Sequence, residues 1–282
     1  MSKRDNDIFV KARFVYASLP KAERGAADVL FDLGKEAADL TLAEYAERAN
    51  SSDSSVIRFC RRIGTDGYAE FVELLRSSEE PPGGPGVYRV SASDDIHTVF
   101  TKVVRNYTDT LTDTLALYTD DYTRALEAIR GARNLHFMGI GDAFLVCQAA
   151  QMKFARVGKA STAYSDTALM LATASLTDSS DVVVAVSFSG QSRLLVNAVR
   201  LAKDNGATII ALIHNEKSRL GRLADISLYT ATTDLTPTHD EIARRIAEHA
   251  IIDTLYMAMT TRDRDIYGPN GEKSLAAIEA HK

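Results

Sequence analysis

The 282-residue sequence predicts an all-helical N-terminal domain of helix-turn-helix type. It is followed by an α/β domain with a flavodoxin-like five-stranded parallel sheet and helices on both faces. Three observations predict it. Apolar residues up to residue 78 recur with a helical period. Residues 77–95 gather Pro81, Pro82 and Pro85, three of the chain's six prolines, among Gly83, Gly84 and Gly86. Beyond them, short apolar runs alternate with helical stretches. Proline removes backbone donors and glycine adds backbone entropy, so the middle stretch reads as a linker. The expected division is residues 1–78, a linker at 79–95, and residues 96–282, in keeping with roughly 100–200 residues per domain.

The helical region opens with an apolar-patterned segment at 9–19. Pro20 suits a helix first turn, and Ala26, Val29, Leu30 and Leu33 then share one face. Thr41-Leu42-Ala43-Glu44 is a capping box, with Leu42, Tyr45, Ala46 and Ala49 as its buried stripe. Asn50-Ser51-Ser52 makes a polar break. A helix at about 53–63 should turn Val56, Ile57 and Cys60 inward, and after Gly64 and Gly67 a last helix carries Tyr68, Phe71, Leu74 and Leu75.

After the linker, helices are expected at about 96–118 and 121–130. Short apolar runs stand at 135–138, 159–164, 182–186, 208–213 and 226–229. Runs that are hydrophobic on both faces mark strands covered on both sides, hence a parallel sheet between helices. Ligands in that architecture bind at the carboxyl ends of the strands. The chain's final helix carries Ala243, Ile246, Ala247, Ala250, Ile251, Leu255 and Ala258, a stripe suited to packing or to a subunit interface.

Composition is that of a soluble globular protein, 45% hydrophobic and 25% charged. No apolar run approaches the ~18 residues that span a bilayer, and MSKRDNDIF lacks the apolar core of a signal peptide. A cytoplasmic protein without membrane contact is expected. Cys60 and Cys147 form no metal-ligand or disulfide spacing, and no cofactor is expected. Net charge is −5, and the first 78 residues hold twelve Lys/Arg against thirteen Asp/Glu. Yet residues 54–63 carry Arg58, Arg61 and Arg62 and no acid, a local positive stripe able to hold phosphates.

Residues 41–63 thus read as a capped helix, a polar break, and a second helix that starts with small polar residues and ends in arginines. That is the pattern of a helix-turn-helix, whose second helix enters the major groove N-terminus first. Ser52, Ser54 and Ser55 are short enough to approach base edges or phosphates. Arg58 can reach a base or the backbone, and Arg61 and Arg62 suit phosphates. On pattern alone, an ordinary helical bundle with a solvated basic face remains the alternative.

In the α/β domain, Ser187-Phe188-Ser189-Gly190-Gln191-Ser192 follows an expected strand and opens a helix. Its three hydroxyls and free N–H groups form a cradle for an oxyanion, or else a plain helix cap. No lysine-containing phosphate loop occurs, so nucleotide hydrolysis is not implied. Gly139-Ile140-Gly141-Asp142-Ala143-Phe144 half-matches the dinucleotide fingerprint, but Phe144 stands at the third glycine position.

The stretch SLPKAERGAADVL…TLAEYAERANSSDSSVIRFCRRIGTDGYAEF, above all Val56–Gly64 and Gly67–Phe71, resembles the N-terminal domain of the RpiR family of bacterial regulators over about residues 8–76. It departs in the turn, where Asn50 replaces a small residue and Ser51 an apolar one. The two loops of the α/β domain, with Arg156-Val157-Gly158-Lys159, Leu201-Ala202-Lys203, Gly206-Ala207, Ser218 and Leu223-Ala224-Asp225, resemble the sugar isomerase (SIS) domain over about 120–260. That resemblance implies phosphate binding by Ser187, Ser189, Gly190, Gln191 and Ser192. Gly139, Gly141, Asp142, Ala143 and Glu241 complete the expected effector site. Here too there are departures: Ala143 replaces a usual Ser, Asp142 adds a charge that disfavours a neighbouring phosphate, and Ala168 replaces a frequent His.

Together the resemblances imply a non-enzymatic regulator of carbohydrate genes. It would bind a double-stranded, palindromic DNA operator as a homodimer or homotetramer and respond to a phosphosugar. The alternative is an aldose–ketose sugar-phosphate isomerase, which needs an acid or base such as His239, Glu241 or His249. The helix-turn-helix discriminates, because an isomerase has no use for it.

Overall fold

The capping box forms as expected and sets the geometry of the helical region. The computed structural model describes residues 8–16, 19–78, 90, 92–231 and 243–281. Helices α1 (Ile8–Tyr16) and α2 (Lys21–Leu33) lead through a 3-10 turn (Gly34–Asp39) to α3 (Leu42–Arg48), α4 (Asp53–Arg62) and α5 (Tyr68–Ser77). The Thr41 side chain accepts from the Glu44 N–H while Glu44 Oε2 accepts from the Thr41 N–H at 2.8 Å, so two orphan donors of α3 are satisfied reciprocally. Val56, Phe59 and Cys60 of α4 are buried with Tyr45, Phe71 and Leu75 in one core, whereas Ile57 is only half-buried. Phe59 therefore takes the inward place expected of Ile57. Edge-on contacts of Tyr45 and Phe59 with the Phe71 ring, at 5.7 and 6.2 Å, fix that core.

The expected linker falls mostly outside the described residues, which resume with α6 (Ile96–Ala116) and α7 (Asp121–Gly131). Strand β1 (Asn134–Gly139), α8 (Ala143–Arg156), β2 (Ser161–Tyr164), α9 (Thr167–Ala174), β3 (Asp181–Val186), α10 (Arg193–Asp204), β4 (Thr208–Ile213) and β5 (Ile226–Tyr229) follow. All strand pairs are parallel and the order is β2-β1-β3-β4-β5, the flavodoxin-like arrangement. Every residue of β3 is buried, which is why its sequence is an unbroken Asp-Val-Val-Val-Ala-Val run. Strand β2 starts two residues later than expected because Lys159 ends α8 instead. Gly158, at φ +83°, and Lys159 close a Schellman motif, their N–H groups donating to the carbonyls of Ala155 and Phe154.

The chain does not end with the helix expected there. After α11 (Arg244–Arg262) comes α12 (Arg264–Glu279), which contains Pro269. The α11 stripe is also not a free surface: Ala247, Ile251 and Leu255 are buried, as is Ala243 just before the helix, and Ile251 and Leu255 are among the residues that cover β1, β3, β4 and β5. By internal contacts the chain divides into two units, residues 1–116 with 231–243, and 117–230 with 244–282.

Candidate functional site

In the first unit, the turn between α3 and α4 departs from the family pattern for reasons the structure supplies. Asn50 adopts φ +46°, and the N–H groups of Asn50 and Ser51 donate to the carbonyls of Glu47 and Ala46, ending α3 in a Schellman motif. Asparagine is enriched in this left-handed region, after glycine. Ser51 Oγ donates to the Ala22 carbonyl at 2.8 Å, a polar tether to α2 where an apolar residue would only have packed. Gly25 of α2 allows the close approach, since a Cβ there would lie 2.3 Å from the Ala49 oxygen.

Ser52 caps α4, accepting from the Ser55 N–H, and its hydroxyl lies 2.9 Å from that of Ser54. Ser52, Ser54, Arg58, Arg61 and Arg62 are exposed along one side of the helix. Ser55, expected at the DNA surface, is buried: its hydroxyl lies 3.0 Å from that of Ser52 and accepts from Arg58 Nη2 at 2.6 Å. It braces an arginine from within. Two of the arginines are held by an acid that sequence reasoning did not single out. Arg58 Nε donates to Glu23 Oε1 at 3.3 Å, and Arg62 Nε pairs with Glu23 Oε2. Arg61 Nε donates to the Asp66 carbonyl, at 3.4 Å.

In the second unit, β1 lies between β2 and β3, so chain direction away from the sheet reverses between β1 and β3. The carboxyl ends of those strands open into a pocket of about 250 Å³ there. Ile140, Asp142 and Ala143 line it from the β1 loop, and Ser187, Phe188, Ser189 and Ser192 from the β3 loop. Among the described residues no side chain caps α10, so the N–H groups of its first turn can meet a ligand. Gly190 and Gln191 shape the loop without lining the pocket. The Gly190 N–H donates to Ser187 Oγ at 3.2 Å and the Gln191 N–H to Ser189 Oγ at 3.3 Å. Gly190 combines φ +60° with close approach, a Cβ there lying 2.3 Å from Ser218 Oγ. Gly139 and Gly141 likewise act through backbone, Gly139 packing closely on Cys147 and Ala143 and Gly141 turning at φ +65°. Ala168 is exposed and is not among the lining residues. Glu241 and His239 lie outside the described residues.

Arg244 and Arg245, at the start of α11, also line the pocket and were not foreseen. Arg244 Nη2 donates to Asp142 Oδ2 at 2.7 Å and Arg245 Nε to the same oxygen at 3.0 Å. Partial burial works to raise the Asp142 pKa, but the hydrogen bond from Arg244 and the charges of both arginines outweigh it and hold the carboxyl below the usual range. The carboxylate expected to disfavour a neighbouring phosphate thus faces two guanidinium groups. Arg244 also lies 5.3 Å from the centroid of the Phe188 ring, which stacks on His214 at 4.8 Å. Behind them Glu248 is buried and pairs with Arg245. Burial pushes its pKa up to about 7, against the opposing charges of Arg245 and Arg244. Among the described residues no cluster of His, Cys, Asp or Glu could hold a metal ion, and no helix is long and apolar enough to cross a membrane.

A helix-turn-helix with an arginine-bearing second helix, in one chain with a doubly wound sheet whose switch point opens into a cationic, hydroxyl-lined pocket, defines a DNA-binding regulator with a small-molecule sensor. The helix-turn-helix domain of the rpiR family matches residues 10–79, and the SIS domain matches residues 128–258. The chain is 30% identical over 266 residues, 93% of each protein, to the uncharacterized HTH-type transcriptional regulator YbbH of Bacillus subtilis. It is also 30% identical over 247 residues, 86% of each, to the HTH-type transcriptional regulator HexR of Pseudomonas aeruginosa. The structure of the Vibrio vulnificus NanR protein complexed with ManNAc-6P shares the fold, with a TM-score of 0.61 and 22% identity over 98% of this chain and 100% of that one. The chain belongs to the rpiR family of helix-turn-helix transcriptional regulators.

Proposed function

We propose that this regulator senses a phosphosugar in the pocket between β1 and β3 and controls carbohydrate genes from the cytoplasm. The functional parts are a DNA-reading head at residues 1–78, a linker at 79–95 and a sensor at 96–282. The observation that carries the reading is the convergence of three serine hydroxyls, the uncapped start of α10, and Arg244 and Arg245 on one pocket. Those groups suit one phosphate with an adjoining polyhydroxyl body. NanR, of like fold, was solved with a phosphosugar, which supports the same class of effector here. The phosphate rests on Ser187, Ser189, Ser192 and the α10 N-terminus. Gly190 and Gln191 hold the loop, while Asp142 and the Ala143 helix start face the sugar.

Regulation rather than isomerisation is the role, because an isomerase has no use for the rpiR-type helix-turn-helix that this chain carries, and the similar proteins YbbH and HexR are HTH-type transcriptional regulators. On the DNA side, Ser52 and Ser54 approach base edges, Arg58 reads a base, and Arg61 and Arg62 hold phosphates, with Ser55 bracing Arg58. A palindromic operator with half-sites about one helical turn, or a multiple of one, apart follows from a two-fold homo-oligomer. Exposed Ile96, Phe100, Val104 and Leu115 on α6 are better placed for a subunit contact than the buried α11 stripe.

The test is calorimetry and thermal shift against a panel of phosphosugars and their unphosphorylated parents. A cognate effector at 100 times its Kd should add about 2.7 kcal/mol of stability. Ser189→Ala, removing a hydroxyl from a charged group, should weaken it at least about tenfold while leaving effector-free operator affinity unchanged. Binding of the parents as tightly as the phosphosugars would refute the assignment.

A further inference from the structure

We propose that Glu23 is a positioning residue that sets DNA specificity: it holds Arg58 and Arg62 by their Nε edges and withholds part of their charge from phosphates. The proposal rests on the assignment of α4 as the DNA-reading helix. Glu23 stands on α2, outside the helix-turn-helix, with its side chain only 4% exposed, whereas those of Arg58 and Arg62 are 53% and 45% exposed. A carboxylate that deep cannot meet DNA itself, but each of its oxygens meets one arginine that can. Arg58 is gripped twice, by Glu23 at Nε and by buried Ser55 at Nη2. A guanidinium has five N–H donors, so the Nη1 pair and one Nη2 hydrogen remain for an outside acceptor. That is the end which pairs bidentately with a guanine edge. Through Ser55 the same network reaches the hydroxyl of Ser52 and thence Ser54, joining the buried acid to the N-cap of the helix.

Charge makes the second half of the case. Two arginines and one glutamate carry a net +1 toward DNA instead of +2. Unrestrained arginines bind any phosphate, raising affinity for every sequence alike. Restrained ones contribute where an acceptor stands in line with them. Glu23 therefore lowers sequence-independent binding and keeps the base-directed contact.

The experiment uses the full-length protein, with an operator recovered by selection from a random duplex pool and a scrambled duplex for comparison. Glu23→Gln keeps the shape, but turns one of the two accepting oxygens into an NH2 donor, so one arginine loses its acceptor. It should bind scrambled duplex about fivefold more tightly at low salt, with a salt slope steeper by about one. The operator-to-scrambled ratio should fall about tenfold. Glu23→Asp keeps the charge but draws it back by one methylene. It should lose the ratio at an unchanged slope, separating reach from charge. Arg61→Ala, outside the clamp, should lower the slope by about one and keep the ratio. Circular dichroism melting establishes that each variant folds. An unchanged ratio and slope in Glu23→Gln would overturn the proposal, as would an equal loss on both duplexes at unchanged slope, which marks mere support of helix packing. If neither Glu23 variant folds, Glu23 serves stability and the proposal falls. If wild type selects no duplex, the DNA-reading assignment of α4 itself falls.

Discussion

The helix proposed to read DNA and the pocket proposed as the sensor use the same arrangement, one carboxylate shared by two arginines, but bury it differently. In the head, Glu23 holds Arg58 and Arg62 from behind, with its side chain 4% exposed. In the pocket, Asp142 holds Arg244 and Arg245 with its side chain 48% exposed and lines the cavity beside them. Depth decides the role. A buried acid cannot touch the ligand and acts only by orienting the cations. An acid on the pocket wall shares the ligand's space, so it must either contact sugar hydroxyls or yield its arginines to the phosphate.

The largest expected effects break this comparison at the pocket. Arg244→Ala removes a charged donor and the cation over Phe188, and leaves Asp142 with one arginine. It should weaken phosphosugar binding by about 1.5–3 kcal/mol, roughly tenfold to a hundredfold. Asp142→Asn decides the acid's own part. Tighter phosphosugar binding in calorimetry would show that Asp142 competes with the phosphate for the arginines. Weaker binding would show that it holds the sugar. No change in either variant would remove the phosphate from this end of the pocket.

What the sequence made legible follows distance along the chain. The strands were readable because their burial on both faces is written locally, as in Val182–Val186. So was the Ser187–Ser192 loop, a single stretch between a strand and a helix. The partners of the acids were not. Glu23 lies 35 residues from Arg58, and Asp142 lies 102 from Arg244. No periodicity announces that α2 backs α4, or that the start of α11 comes to the carboxyl end of β1. Helix α12 was hidden for another reason. Gly268-Pro269-Asn270-Gly271 carries breaker residues throughout, yet the helix runs through them. Tertiary contact outweighs propensity there: Asn270 Nδ2 donates to the Val157 carbonyl at 3.0 Å, and Tyr267 is buried in the sheet core.

Beneath the pocket arginines, Glu248 gives a prediction of intermediate size. Its pKa of about 7 lies above that of a carboxyl in the unfolded chain, so between the two values the folded protein holds the extra proton. Its contribution to stability is therefore fully present below the unfolded pKa and is lost as pH rises through 7. Arg245, Arg244, Asp142 and Cys147 are the ionisable groups around it. Glu248→Gln, neutral at every pH, should flatten the fall in Tm between pH 5.5 and 8. A fall as steep as in wild type would mean that Arg245 keeps the carboxyl ionised throughout.

The smallest effect concerns what each region places in left-handed backbone. The pocket loops use glycine, Gly141 at φ +65° and Gly190 at φ +60°, and at Gly190 any side chain would also strike Ser218. The head uses Asn50 at φ +46°, with its side chain exposed. Asparagine tolerates this region better than other residues with a side chain, but glycine tolerates it best. Glycine in turn loses more backbone entropy on folding. The two terms oppose, so Asn50→Gly should change stability by only a few tenths of a kcal/mol, with operator affinity unchanged. Asn50→Ala has the strain without asparagine's local hydrogen bonding and should cost about 1 kcal/mol. Chemical denaturation of the two variants measures the difference. If Asn50→Ala were neutral, the strain at this turn would be relieved by movement of α4, and the bases it meets should change with it. If Asn50→Gly were as costly as Asn50→Ala, the asparagine side chain itself would be holding the turn between α3 and α4.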